Sequence, residues 1–432
     1  MVKEQKAASK KPSTASLSFP PAENRAQALG EIHARPFVAV TSPRVILQLA
    51  FLMETGQTSH HEAIETMARS QGVSVPDRTS RHCTVQWGQG TLRWERHTEF
   101  STWFWDGPAM AAPWTAIALH PFGGSFHAPG SFISGIRLEI WPEGAQAEAA
   151  LTSFDGASLC RSRIRDGLAE VATDFRQDGD GLTRMLLIDR GLTDLGRGAT
   201  VQCLLDIETY RTLAMLALPL AQSLSPEIRA IEEALGAVTQ RMKGQVWENA
   251  DEMLAEITRL ASELQANAAQ SLYRFGASTA YDFIVSERIA TLGEEPIAGE
   301  TLGSFLERRL APAMRTCKSV EERQESLSIK LSRTTELLRT WVDVGLARQN
   351  TALLTSMDRR VKLQLRLQQT VESLSVAAIS YYIVGLINYA AKGLGHDIVE
   401  PMLSIALGIS VPIIVVSVWF FVRSVRRRHQ DS

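Results

Sequence analysis

From Pro401 to Val422 the chain reads PMLSIALGISVPIIVVSVWFFV, a run without one charged residue, and Arg423, Arg426, Arg427 and Arg428 follow it. As a helix rising 1.5 Å per residue the run covers about 33 Å, which matches the roughly 30 Å hydrocarbon core of a bilayer. Trp419, Phe420 and Phe421 stand where interfacial aromatic residues belong. A helix buried in a soluble core does not stay apolar on every face for that length and then stop at a basic cluster. The run predicts a membrane span.

A second charge-free run, Val376 to Ala391 (VAAISYYIVGLINYAA), precedes it. Extended to 373–394, with Lys392 snorkelling, it also reaches about 33 Å. The two spans, 373–394 and 401–422, then form a hairpin across an outer link, 395–400. Arg359, Arg360, Lys362 and Arg366 precede the first span and four arginines follow the second. The excess of basic residues on that side predicts cytoplasmic N- and C-termini and a basic cytoplasmic tail at 423–432, with the chain held in the cell inner membrane.

The rest of the chain has the composition of a folded protein. Net charge is -2, so a nucleic-acid partner has no global electrostatic support. Cys83, Cys160, Cys203 and Cys317 stand far apart without metal-site spacing, which suits reduced thiols. Residues 1–21 mix lysines with Ala, Ser and Pro and lack an apolar signal-peptide core, so a disordered tail is expected there.

Residues 22–222 mix strand and helix signals. Glu23 to His33 reads as a helix ending before Pro36. Val45 to Met53 is short, apolar and partly β-branched, as a buried strand is. Ser59 with Glu62 fits a capping box opening a helix to Gly72. Cys83–Trp87 and Thr91–Arg96 flank Gly88-Gln89-Gly90, a hairpin signal. Phe100–Trp105, Phe132–Trp141 and Leu182–Asp189 add strands. The expected fold class is an α+β cytosolic domain with a mostly antiparallel sheet, then a long helical stalk and the transmembrane hairpin.

Helical spacing begins past Gly198 and runs up to Pro219. Ser225-Pro226-Glu227 reads as a helix start, and 223–372 as a helical bundle or stalk interrupted between Gly293 and Gly299. From a second capping box, Ser319 to Glu322, no break follows before the first span. One helix from Ser319 to Ala391 would be roughly 110 Å long. Its apolar stripe, including Leu327, Leu338, Trp341, Met357 and Val361, needs partners: neighbouring helices, or copies of the chain in a coiled-coil homo-oligomer.

Three separated motifs carry a resemblance. Glu23-Asn24-Arg25 to Glu31-Ile32-His33-Ala34-Arg35-Pro36-Phe37, Asp206-Ile207-Glu208-Thr209-Tyr210-Arg211, and Ala378 through Leu386 resemble a bacterial membrane-anchored family known only as domain of unknown function thirty-four twenty-two. It implies no activity. A looser, architectural resemblance is to CorA-type magnesium channels, which place an α/β domain and a very long helix before two C-terminal spans. Their Gly-Met-Asn signature has Gly385-Leu386-Ile387-Asn388 as its nearest match here, one residue longer.

Few residues carry chemistry. Tyr381, Gly385, Asn388 and Lys392 share one face of the first span, either lining a polar pore or packing against small residues of the second span. Asp397 and Glu400 in the outer link could attract cations. His33 and Arg35 could hold an anion or partner, or simply end a helix. His60, His61, Glu62 and Glu65 lack the final histidine of a zinc motif. Trp87, Trp94, Trp103, Trp105 and Trp114 read as core packing. No catalytic elbow, phosphate loop or cofactor motif stands out. The expectation is a membrane-anchored scaffold, sensor or regulator, not an enzyme, without cofactor, partnered by the bilayer and its own copies. The alternative is a CorA-like oligomeric divalent-metal channel or transporter.

Overall fold

A computed structural model describes residues 38–53, 59–243, 249–392 and 400–430, with Ala22, Arg25 and Leu29; at 298, 391–392, 400–407 and 425–430 it describes backbone alone. The expected helix at Glu23–His33 and the outer link therefore lie outside the described residues, apart from single positions. The chain divides into two compact units. One comprises the described residues of 1–237 and 256–332, the other those of 238–255 and 333–432.

The first unit is built on a nine-stranded sheet in the order β2-β3-β4-β1-β5-β8-β7-β6-β9. Its strands are β1 (Arg44–Leu52), β2 (His82–Trp87), β3 (Gly90–Arg96), β4 (Phe100–Pro108), β5 (Phe132–Pro142), β6 (Cys160–Ile164), β7 (Ala169–Gln177), β8 (Thr183–Asp189) and β9 (Glu295–Gly299). Every pairing is antiparallel except β5 with β8. The helices are α1 (Ser59–Ser70), α2 (Ala145–Leu151), α3 (Asp194–Met215), α4 (Ala217–Arg241), α5 (Ala250–Leu292), α6 (Leu302–Lys392) and α7 (Glu400–Gln430).

Strand alternation gives the sheet two unlike faces. On one, Leu47, Trp105 and Leu92 stand in register, as do Leu49, Trp103 and Trp94. Trp94, Trp103 and Trp105 are buried there with Ile64 and Met67 of α1, so these three are core, while Trp87 and Trp114 are only partly buried. The opposite face carries Ile46, Ile136, Leu138, Met185 and Leu187 against Val201, Leu204 and Leu205 of α3 and Phe305 and Leu306 of α6. The β2–β3 hairpin turns on Gly88, whose φ of +62° suits the first position of a type II′ turn.

Several expectations need correction. The interruption expected between Gly293 and Gly299 is not a plain break but strand β9, which adds to β6 at the sheet edge, where Pro296 is tolerated. Ser225-Pro226 does not start a helix: α4 already runs from Ala217 with Pro226 inside it. Burial of Ala221, Leu224, Ile228 and Ile231 on one face of α4 outweighs the lost hydrogen bond. Likewise Ser319 lies inside α6, which began at Leu302. β6, β7 and α2 were not foreseen. Within β7 a register shift between Thr173 and Gln177 accompanies φ +53° at Phe175 and stacks that ring on Phe305 of α6.

The second unit holds α6 from Arg333 onward, α7, and the facing ends of α4 and α5. α6 is 91 residues long and unbroken. It contains an apolar window of mean hydropathy 1.5, long enough to cross a membrane, and α7 has a shorter described apolar stretch, Gly408–Ser424.

Candidate ligand cleft

The polar part of the α3-side sheet face forms a cleft of about 210 Å³ inside the first unit. Register places its floor. Gln48, Phe104 and Arg93 lie in one row across β1, β4 and β3, and Thr102 pairs with Glu95 in the next. The turn between β3 and β4 adds His97. Gln202, Asp206, Thr209 and Tyr210 follow at helical spacing on α3 and form one wall, and Arg288 of α5 closes the side.

Each wall group is tied to its neighbours. Asp206 accepts from Arg288 at 2.8 Å and from Gln202 at 2.7 Å. Gln48 donates to Thr209 at 3.0 Å. His97 stacks on Phe100 with centroids 4.2 Å apart, and its Nε2 is 3.3 Å from the Thr102 hydroxyl. Arg93 lies over the Phe104 ring, 4.1 Å from its centroid. Burial pushes the Arg93 guanidinium below its ordinary value, opposed by attraction to Glu95 and Asp106. Asp106 is pushed up by burial, against the pull of Arg44 at 3.3 Å and of Arg93.

Beneath the cleft, buried carboxylates lock the helices to the sheet. Glu99 accepts two bonds from Arg274, at 3.0 and 2.6 Å, and one from Tyr281 at 2.6 Å. Burial, then the Glu99 bond, pushes the Tyr281 phenol far up. Glu208 accepts a fork from Arg211, at 2.7 and 2.6 Å, and a bond from Thr183 at 2.8 Å. The Asp206–Arg211 run, noticed in the sequence only as a family mark, is thus the cleft wall and its foundation. Arg93, His97 and Arg288 were missed, because single polar residues in unrelated segments give no spacing signal.

The chemistry sought elsewhere is absent among the described residues. No group of three His, Cys, Asp or Glu could hold a metal ion. His60 is buried, with Nδ1 2.7 Å from the Ser101 hydroxyl and Nε2 3.1 Å from the Leu52 carbonyl. Because the carbonyl can only accept, Nε2 carries the proton and Ser101 donates to Nδ1. Ser101 has no exposed surface, so this serine–histidine pair reaches no substrate. All four cysteines are free thiols pushed up by burial, Cys160 to about 12.

On α6, Tyr381 and Asn388 are exposed and Gly385 is partly so. A Cβ at Gly385 or at Gly408 would meet no atom within 4 Å, so within one chain nothing described packs on those glycines. Glu400 opens α7; its side chain, Asp397, His33 and Arg35 lie outside the described residues.

A family model described as protein of unknown function (DUF3422) matches residues 20–429. No curated protein matches. No solved structure matches either, so the likeness to CorA-type channels has no support.

Proposed function

This chain belongs to the DUF3422 family, and from that premise we propose a membrane-anchored protein whose α+β module is a cytoplasmic sensory or regulatory unit. The observation that carries the anchor is exposure of apolar surface. Tyr381, Leu386 and Tyr389 on α6 are 77%, 69% and 81% exposed, and Phe421 on α7 is 70% exposed. In water such surface costs about 25 cal/mol per Å², and hydrocarbon removes that cost. The helical backbone satisfies its own polar groups, as a lipid setting demands. With basic residues at both cytoplasmic flanks, α6 and α7 enter as a two-span hairpin.

The cleft is read as a binding site, since its charged groups are held by neighbours and rings. Leu353, Leu354 and Met357 of α6 are 57%, 66% and 62% exposed, which favours copies of the chain along that helix. The test of the anchor is direct. The chain should stay in the membrane pellet through an alkaline carbonate wash. A reporter after Ser432 should be cytoplasmic, and Gly395→Cys should be labelled from outside. Release by carbonate, or a C-terminal reporter outside, would overturn the reading.

A further inference from the structure

Two arginines and two carboxylates, Arg93 and Arg288 with Glu95 and Asp206, line the cleft, but they are not paired alike. Arg288 is matched by Asp206, 2.8 Å away, and Asp206 is further held by Gln202. Arg93 has no such match: among the described residues no carboxylate oxygen comes within 4.0 Å of it, and it donates no hydrogen bond. What it touches is the Phe104 ring, 4.1 Å from the guanidinium carbon. A ring face attracts a cation but leaves the planar fork of N–H donors for water or an oxyanion. Glu95 and Asp106 attract Arg93 from farther off, and Asp106 is itself engaged by Arg44.

The remaining lining says what kind of anion fits. Phe100 and Phe104 lie buried beneath His97 and Arg93, whereas Tyr210 lines the cleft with a partly exposed ring. A ring surface of this kind suits a flat, unsaturated body. At about 210 Å³ the cleft is smaller than the roughly 300–1,000 Å³ typical of pockets for drug-sized ligands, which points to a small ligand.

We propose that this cleft takes a small organic carboxylate on a flat, unsaturated body, with Arg93 as its bidentate charge partner and Tyr210 as the ring beside it. The proposal rests on the sensory reading above and names the ligand class of that same module. A carboxylate matches the guanidinium fork with two parallel bonds, whereas a cation of equal size meets Arg93 as a like charge.

The experiment uses the full chain in detergent and titration calorimetry with benzoate, benzylamine and inorganic phosphate. Benzoate should bind one per chain, at least tenfold tighter than either other probe. Arg93→Met keeps an apolar stem over Phe104 and should weaken benzoate at least tenfold while leaving the melting temperature of the first unit within a few degrees. Arg93→Lys keeps the charge without the fork and should weaken it at least threefold; this variant carries the test if Arg93→Met does not fold. Absence of benzoate binding in the millimolar range, equal binding by the Arg93 variants, or preference for benzylamine would overturn the proposal. Phosphate binding as tight as benzoate would overturn the flat body. Calorimetry in detergent reports on the cleft whichever way the anchor is oriented, and the carbonate wash reports on the anchor whatever the cleft binds. The two readings therefore fail separately.

Discussion

Removing the guanidinium of Arg197 should destabilise the first unit by about 4 kcal/mol. Arg197 is 6% exposed near the start of α3. Its Nε donates to Asp189 at 2.8 Å, its Nη2 to the Leu192 carbonyl at 2.9 Å, and its Nη1 to Asp194 at 2.7 Å and to the Val40 carbonyl. It thereby ties the end of β8 and the segment before β1 to α3. Asp189, whose side chain is 8% exposed, keeps only backbone donors, Gly191 at 3.0 Å and Leu192 at 2.9 Å, once the arginine is gone. Breaking one side of a buried ion pair costs about 3–5 kcal/mol, chiefly through the charge left behind. With a urea slope of about 2 kcal/mol/M, Arg197→Met should lower the unfolding midpoint by about 2 M. Fluorescence of the buried sheet tryptophans follows the transition. If the stranded charge is the cause, adding Asp189→Asn should recover part of the loss. A cost below about 1 kcal/mol, or a double variant no more stable than Arg197→Met alone, would refute the reasoning.

Trp103 has no exposed surface and donates to Ser101 at 3.0 Å; Trp103→Ala should cost about 3–5 kcal/mol and lower the melting temperature by about 10 °C. Burial holds His60 below its ordinary value of 6.5, partly offset by the Leu52 carbonyl. The folded chain resists a proton that the unfolded chain accepts, so the stability tied to His60 is full above pH 6.5 and is lost as pH falls through the lowered folded value. His60→Gln should therefore lose less stability than wild type between about pH 7 and pH 5 in parallel denaturation curves; identical losses would show that His60 does not titrate in that window. Arg348→Pro places a break inside α6 at a local cost of about 3 kcal/mol, and new protease cleavage near Arg348 should report it.

Much of the architecture follows from short-range signals. A charge-free run closed by arginines, a Gly88-Gln89 turn between alternating strands, and an apolar stretch such as VILQLAFL each carry enough information within a dozen residues. Local cues failed where pairing or burial overrode them. β6, CRSRI, alternates charge and reads as loop, yet Arg161 is an ion-pair partner of Glu170, which is fully buried on β7. Hydropathy cannot register a carboxylate buried by its partner on another strand. β9, EPIAG, reads as a break and becomes a strand only because the edge of β6 is there to pair with it. Proline at Pro226 and the box at Ser319 signalled helix starts that longer buried faces erased. The cleft is the extreme case. Arg93, Asp206 and Arg288 come from a strand and two helices far apart in the chain, and nothing near any one of them marks it as special. Amphipathic periodicity is written residue by residue, whereas a cleft that gathers charges from separate segments exists only after the sheet and its helices have closed on each other.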